Sequence, residues 1–234
     1  MNQGTDYTSF SEPQDEVKDL LLNENGREVA PAVYNAIIGG VLLWGLVLDV
    51  ALAFLFEEQF LEINPILLLV IYGVLTIGGM IMTRHSSKPL VSFLGFTALS
   101  LGLGILLAGF ITQFELGTVM NAFLIAIGVT LLMILISNRW PDFFIGLAKP
   151  LLIALGLAIV GELLCYAIIG SSMSWADAIV AVLFAGFIGF DWARAQSLPK
   201  TIDNAVDSAA ELFIDIANLV LRIVLASLSD RDKD

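Results

Sequence analysis

The sequence predicts an all-α integral membrane protein, a bundle of seven transmembrane helices with the last helix at its centre. Of the 234 residues, 58% are hydrophobic and 15% are charged, and the mean hydropathy is +0.88. A soluble domain is far less apolar and more charged. The apolar residues form seven long runs, and about 20 such residues suffice for one helix to cross a bilayer. Because the runs are continuous rather than alternating, they favour helices over barrel strands.

The predicted spans follow one another with short connections. They cover residues 36–56, 65–83, 90–111, 118–136, 150–170, 176–190 and 209–228. The first five are long apolar runs, the sixth is shorter, and the seventh contains several polar residues. This seven-helix domain, residues 36–228, follows an acidic tail of residues 1–35 and precedes a short polar tail of residues 229–234.

Glycine pairs recur inside the predicted spans. They are Gly39 and Gly40, Gly78 and Gly79, Gly102 and Gly104, and Gly186 and Gly189. Small residues let helix backbones approach each other closely in lipid, so we expect these glycines to lie at helix–helix contacts.

The loops predict the orientation in the membrane. The loops after spans two, four and six contain lysine or arginine, whereas those after spans one, three and five contain none. Lys18 and Arg27 precede span one. Because cytoplasmic loops are enriched in these residues, the amino terminus is predicted to be cytoplasmic. Arg231 and Lys233 are the exception, since a full seventh crossing would place them outside; the last helix either crosses despite them or enters and returns.

Several kinds of protein are excluded by composition. The net charge is −12, seven of the 23 acids lie in a solvated tail, and the basic surface of a nucleic-acid-binding protein is absent. The acids of that tail are Asp6, Glu12, Asp15, Glu16, Asp19, Glu24 and Glu28. The single cysteine, Cys165, excludes an intrachain disulfide, and no cysteine–histidine cluster is present to hold zinc. The tail also lacks the basic start and apolar core of a cleavable signal peptide.

No pattern in the chain predicts an enzyme or a cofactor. Neither a serine–histidine arrangement nor a phosphate-binding loop is present. An intramembrane aspartyl protease also uses two membrane aspartates, but it places the second in a Gly-x-Gly-Asp context. Here Asp215 follows Phe213 and Ile214.

The last span contains a polar stripe. Glu211, Asp215, Asn218 and Arg222 are spaced by four, three and four residues, which places them on one face of a helix. Such a face must contact protein or water rather than lipid, so the last helix is predicted to be central. These side chains either line a permeation path or pair within their own helix.

Asp191 and Asp215 are the strongest candidates for a functional pair. Asp191 ends the sixth span and Asp215 lies near the start of the seventh, so an antiparallel helix pair can bring them together. Two carboxylates in contact cannot both ionise cheaply, so they share a proton. The pair could sense pH or bind a cation; calcium favours carboxylate oxygens, although two carboxylates alone make a weak calcium site.

The sequence suggests environments for three further ionisable residues. Glu162 has no lysine or arginine within reach on its own helix, so it is either protonated and hydrogen-bonded or lines a permeation path. Asp49 is predicted to join an acidic outer mouth or to be a solvated charge. The glutamates expected to share that mouth are Glu57, Glu58, Glu62 and Glu115. His85, beside Arg84, is expected to be solvated.

Three segments resemble the Bax inhibitor-1 family, the transmembrane Bax-inhibitor-motif proteins. They are residues 34–36 (YNA), 119–123 (VMNAF) and 212–219 (LFIDIANL). The third is similar to the family's Leu-Tyr-Leu-Asp-x-x-Asn-Leu pattern. The 24-residue spacing of Asp191 and Asp215 also matches the paired aspartates of the family's bacterial members. The resemblance extends over residues 34–228.

This resemblance implies a seven-helix bundle that acts as a pH-sensitive calcium leak in the bacterial inner membrane. In the family the two aspartates hold a pore closed, and an arginine at the end of span two serves as a latch; by position Arg84 corresponds to it. The predicted partners are the lipid bilayer and calcium or other cations. Some bacterial members associate with a membrane-bound ATP-dependent protease, so the alternative is a regulatory protein acting through its acidic tail.

Overall fold

All the elements described by the computed structural model are α-helices. The described residues are 28–55, 64–111, 116–169 and 174–231. The helices are α1 (Pro31–Leu55), α2 (Pro65–His85), α3 (Pro89–Ile111), α4 (Leu116–Arg139), α5 (Pro141–Gly146), α6 (Ala148–Ile169), α7 (Ser174–Ser197) and α8 (Ile202–Arg231). The all-α membrane fold is therefore confirmed.

Six helices of the described part are long and apolar enough to cross a membrane: α1, α2, α3, α4, α6 and α7. They coincide with the first six predicted spans, and the chain is a multi-pass membrane protein. The seventh, α8, is a continuous helix of 30 residues, but its polar residues keep it out of this set. The predicted count of seven spans is therefore not confirmed by length and composition.

Helix α8 lies at the centre of the bundle. It packs against α7, α1, α3, α4 and α2. Its buried face is apolar and includes Ala205, Ala209, Leu212, Phe213, Leu219, Val220 and Val224. Phe213 packs edge-on against Phe96 of α3, with ring centroids 5.4 Å apart. The predicted central position of the last helix is confirmed, because five other helices pack around it.

Both helices around the last connection are longer than their apolar runs. The sixth span was predicted to end at residue 190, whereas α7 continues to Ser197; the seventh was predicted to start at residue 209, whereas α8 starts at Ile202. Tertiary contacts support the extra turns. Trp192 Nε1 donates to Asn138 Oδ1 over 2.8 Å, and Gln196 Nε2 donates to Asn35 Oδ1 over 2.9 Å. Hydropathy alone could not detect these partners.

The start of α1 is attached to the α7–α8 connection. The fully buried Tyr34 places its hydroxyl 3.1 Å from the Ala195 carbonyl and 3.2 Å from Ser208 Oγ. Lys200 Nζ lies over the Tyr34 ring and donates to the carbonyls of Ala195 and Gln196. Partial burial lowers the pKa of Lys200. A lysine on the last carbonyls of a helix stabilises its carboxyl end.

Five of the eight glycines predicted to lie at helix–helix contacts do so: an added Cβ would meet an atom of another helix within 3 Å at Gly79, Gly102, Gly104, Gly186 and Gly189. Gly79 faces α3, where an added Cβ would lie 2.6 Å from the Leu99 nitrogen, and Gly95 faces α2 in return. By contrast, Cβ atoms at Gly39, Gly40 and Gly78 would meet nothing within 4 Å. Only one member of the Gly78–Gly79 pair is therefore required by packing.

Candidate functional site

The structure brings Asp191 and Asp215 together. Asp191 lies in α7 and Asp215 in α8, and their carboxyl groups are close enough to share a hydrogen bond. Both residues are buried, with 9% and 7% of their surface exposed. A hydrogen bond between two carboxyl groups requires one proton, so this geometry suits a pair that shares a proton.

The two members of the pair have different surroundings. Asp215 Oδ2 is buried and has no hydrogen-bond partner among the described residues. The charged groups that act on Asp191 are Glu211, Arg194 and Arg84, the last two being cations. A buried oxygen without a donor disfavours the ionised form of a carboxyl group.

Glu211, one turn before Asp215, joins three helices. Arg194 of α7 places Nη1 2.8 Å and 2.9 Å from the two Glu211 oxygens. Arg84, at the end of α2, places Nη2 3.5 Å from Glu211 Oε1. Arg84, predicted to be a latch, therefore contacts Glu211 rather than the aspartates, and both arginines are largely exposed.

A small polar cavity adjoins this ion pair. Its volume is about 300 Å³, and its lining includes Arg84, Arg194, Glu211 and Asp207. Asp207 precedes the predicted seventh span, and burial, with Asp203 and Glu211 nearby, raises the pKa of its carboxyl group to about 7. The cavity lies at the Glu211 end of the bundle and is large enough for several water molecules, but neither Asp191 nor Asp215 lines it.

Arg222 takes part in a second charged cluster, two turns beyond Asp215. Its Nη1 lies 2.6 Å from Glu162 Oε1 of α6 and 2.7 Å from Asp177 Oδ1 of α7. Intrahelical pairing of the polar stripe is therefore wrong for Arg222, whose partners lie on other helices. Asn218 instead donates to the Ile214 carbonyl of its own helix.

The structure describes the environments of Glu162 and Asp49. Glu162 hydrogen-bonds to a neighbouring helix, as one of its two predicted alternatives had it, and its partner is the guanidinium of Arg222 on α8. Asp49 is not a solvated charge: it is 6% exposed and lies against α3, where Ser100 Oγ donates to Oδ1 over 3.2 Å. His85 is exposed, as expected.

Some predictions lie outside the described residues. These are the acidic tail up to residue 27, the glutamates Glu57, Glu58, Glu62 and Glu115, and Lys233. In the described part of the chain, no group of three or more His, Cys, Asp or Glu residues could hold a metal ion. In that part of the chain, Asp191 and Asp215 therefore have no third carboxylate, histidine or cysteine placed to share a metal ion with them.

Sequence reasoning missed three acids. Asp177 belongs to the Arg222 cluster. Asp203 accepts a hydrogen bond from Ser92 Oγ over 2.7 Å, and Asp207 lines the polar cavity. The signal for the last two was present: Asp203, Asp207, Glu211 and Asp215 recur every four residues, which continues the polar face of α8 towards its start.

Comparison with known proteins identifies a family. A family model described as "Inhibitor of apoptosis-promoting Bax1" matches residues 26–231. No curated protein and no solved structure matches the chain. The matched region includes every described helix and both aspartates. The chain therefore belongs to the Bax inhibitor-1 family.

Proposed function

We propose that the protein is a pH-sensitive cation leak, with calcium as the transported ion, gated by Asp191 and Asp215. The observation that supports this proposal is the buried contact between the two carboxyl groups. Burying two acidic side chains costs free energy. Ionisable groups inside membrane proteins commonly mark ion pathways. Asp203, Asp207 and Glu211 precede Asp215 on the same face of α8, and acidic side chains favour cations over anions.

The proposed gating depends on the proton that the two aspartates share. With one proton between them, Asp191 and Asp215 hold α7 against α8 and keep the path closed. Loss of that proton places two negative charges in contact, and gain of a second removes the charge that strengthens the hydrogen bond. Either change weakens the closed packing and shifts the bundle towards a second state.

Glu211 couples the charged groups around the gate. It holds Arg84 and Arg194 one turn from Asp215. When the pair ionises, these arginines are the cations that can move towards it. In this proposal Arg84 acts as a latch through Glu211, by joining the end of α2 to α8.

The proposal also specifies the membrane and the orientation of the protein in it. We place the protein in a bacterial inner membrane with its amino terminus in the cytoplasm, as the basic loops indicate. The end of the bundle that carries Arg84, Arg194 and Glu211 then faces the cytoplasm.

Calcium flux across a pH series tests the gate. Purified protein is reconstituted in liposomes that contain a calcium dye, and flux is measured at each pH. Asp191→Asn and Asp215→Asn keep the shape of each side chain but remove the coupled titration, so flux should lose its pH dependence. Asp142→Asn is the matched control, because Asp142 is an exposed carboxylate on α5, and its pH profile should equal that of the parent protein.

Two results would overturn the gate. One is an unchanged pH profile in both aspartate variants; the other is the absence of cation flux in the parent protein. The second result would leave the regulatory alternative, in which the acidic tail binds a membrane protease. Removing residues 1–27, which precede the described part, then tests that alternative by loss of protease binding.

A further inference from the structure

A large cavity lies between α6, α7 and α8, away from the aspartate pair. Its volume is about 800 Å³, within the range of small-molecule pockets. Most of its lining is apolar, including Leu157, Leu163 and Ile179. Tyr166 and Trp175 add two aromatic rings. Each of these five side chains is about half exposed or more. The cavity is therefore open at the side of the bundle.

The charged cluster of Glu162, Asp177 and Arg222 forms the polar part of this cavity. All three residues line it. Their side chains are 28%, 11% and 20% exposed, so each is largely withdrawn from the surroundings. The guanidinium of Arg222 already contacts both carboxylates, at 2.6 Å and 2.7 Å.

The charges of this cluster do not balance. Two carboxylates and one guanidinium leave one negative charge beside apolar walls. Uncompensated charge in such a setting is costly, and a ligand of charge +1 would relieve it. An anionic ligand would be repelled, and a zwitterionic phosphate would compete with the carboxylates for Arg222.

We infer that this cavity binds a lipophilic monocation, an alkylammonium whose cationic head lies beside Glu162 and Asp177. Its alkyl chain lies along the apolar walls of α6 and α7. Tyr166 and Trp175 suit this ligand as well, since aromatic faces attract organic cations. Neither Asp191 nor Asp215 lines the cavity, so this site is separate from the proposed gate.

The single cysteine offers a reporter inside the cavity. Cys165 lines it and is partly exposed. In neutral detergent, the rate at which N-ethylmaleimide modifies Cys165 is measured against increasing dodecylammonium. Saturable protection is expected. Dodecanol has the same chain without the charge and should protect at concentrations about tenfold higher or more, a factor that corresponds to ~1.4 kcal/mol.

Two variants test the role of the charge. Glu162→Gln and Asp177→Asn each neutralise one carboxylate and leave the other paired with Arg222. Each should raise the half-protecting concentration of dodecylammonium by about tenfold. Asp142→Asn, which alters an exposed carboxylate, should leave that concentration unchanged. A cysteine at the exposed position 131 of α4, in Cys165→Ala protein, should not be protected.

The inference fails if dodecanol protects Cys165 as well as dodecylammonium does, because apolar partition would then explain protection. It also fails if protection does not saturate, or if both charge variants bind like the parent protein. The comparison of dodecylammonium with dodecanol uses the unaltered chain. It therefore tests the inference even if a variant does not fold. Calcium flux does not enter this test, so its result is independent of the gate.

Discussion

Arg222 shows how much a single buried cation contributes to this bundle. It joins α6, α7 and α8 through Glu162 and Asp177. Arg222→Gln would leave two carboxylates without a cation, and breaking a buried pair in this way costs about 3 kcal/mol. We expect a clear fall in the thermal unfolding midpoint of the purified protein in detergent.

The matched control for this change is Arg139→Gln. Arg139 is exposed and lies over the Trp140 ring, and such a surface change shifts the free energy of unfolding by about 0.5 kcal/mol at most. Equal losses in both variants would contradict the importance of the Arg222 cluster. Arg222→Lys should fall between parent and Gln variant, since an ammonium keeps the charge but lacks the planar fork of donors.

The sequence predicted the acids of the candidate site better than their partners. Asp191 and Asp215 could be paired from the sequence because consecutive helices bring them to similar depth. The partner of Glu162 could not be found, since Arg222 lies 60 positions away and reaches it only through the packing of α6 near α8. Asp49 was misplaced for the same reason: Ser100, its donor, is on another helix.

At the scale of helices, hydropathy located the elements but not their ends. Residues 191–197 and 202–208 are too polar for an apolar run, yet both segments are helical. Neighbouring helices supply partners for several of their side chains, as Asn138 does for Trp192 and Ser92 does for Asp203. Polar periodicity was the better signal there: the acids of α8 recur every four residues from Asp203 to Asp215.

The contact of α2 with α3 makes a prediction about adjacent glycines. An added methyl group at Gly79 would collide with the backbone of Gly95 and Leu99. Gly79→Ala must therefore push the two helices apart, which we expect to cost about 2 kcal/mol. Thermal unfolding in detergent measures this loss.

Gly78→Ala is the matched control, since its Cβ would meet nothing within 4 Å. Alanine is also the better helix former, so this variant should be as stable as the parent or slightly more stable. If the two alanine variants unfold at the same temperature, the close approach of α2 and α3 at Gly79 is refuted.

For the molecule as a whole, the helical bundle and its central helix could be predicted from the sequence. Whether the last helix crosses the membrane could not. Helix α8 is continuous over 30 residues, and at 1.5 Å per residue it is about 45 Å long. The hydrocarbon core of a bilayer is only about 30 Å thick. A segment that enters and returns needs a break, and α8 has none, so we expect it to cross despite the positive charges of its end.

Cysteine labelling of intact cells tests this topology in Cys165→Ala protein. A membrane-impermeant maleimide should label cysteines introduced at positions 60, 115 and 173, which lie in the loops without lysine or arginine. Positions 87 and 197, both exposed at the ends with basic residues, should react only after the membrane is permeabilised. Position 229 decides the last helix, and a crossing α8 requires that it react from outside. Labelling at 197 before permeabilisation would reverse the orientation, and protection at 229 would mean that α8 does not cross.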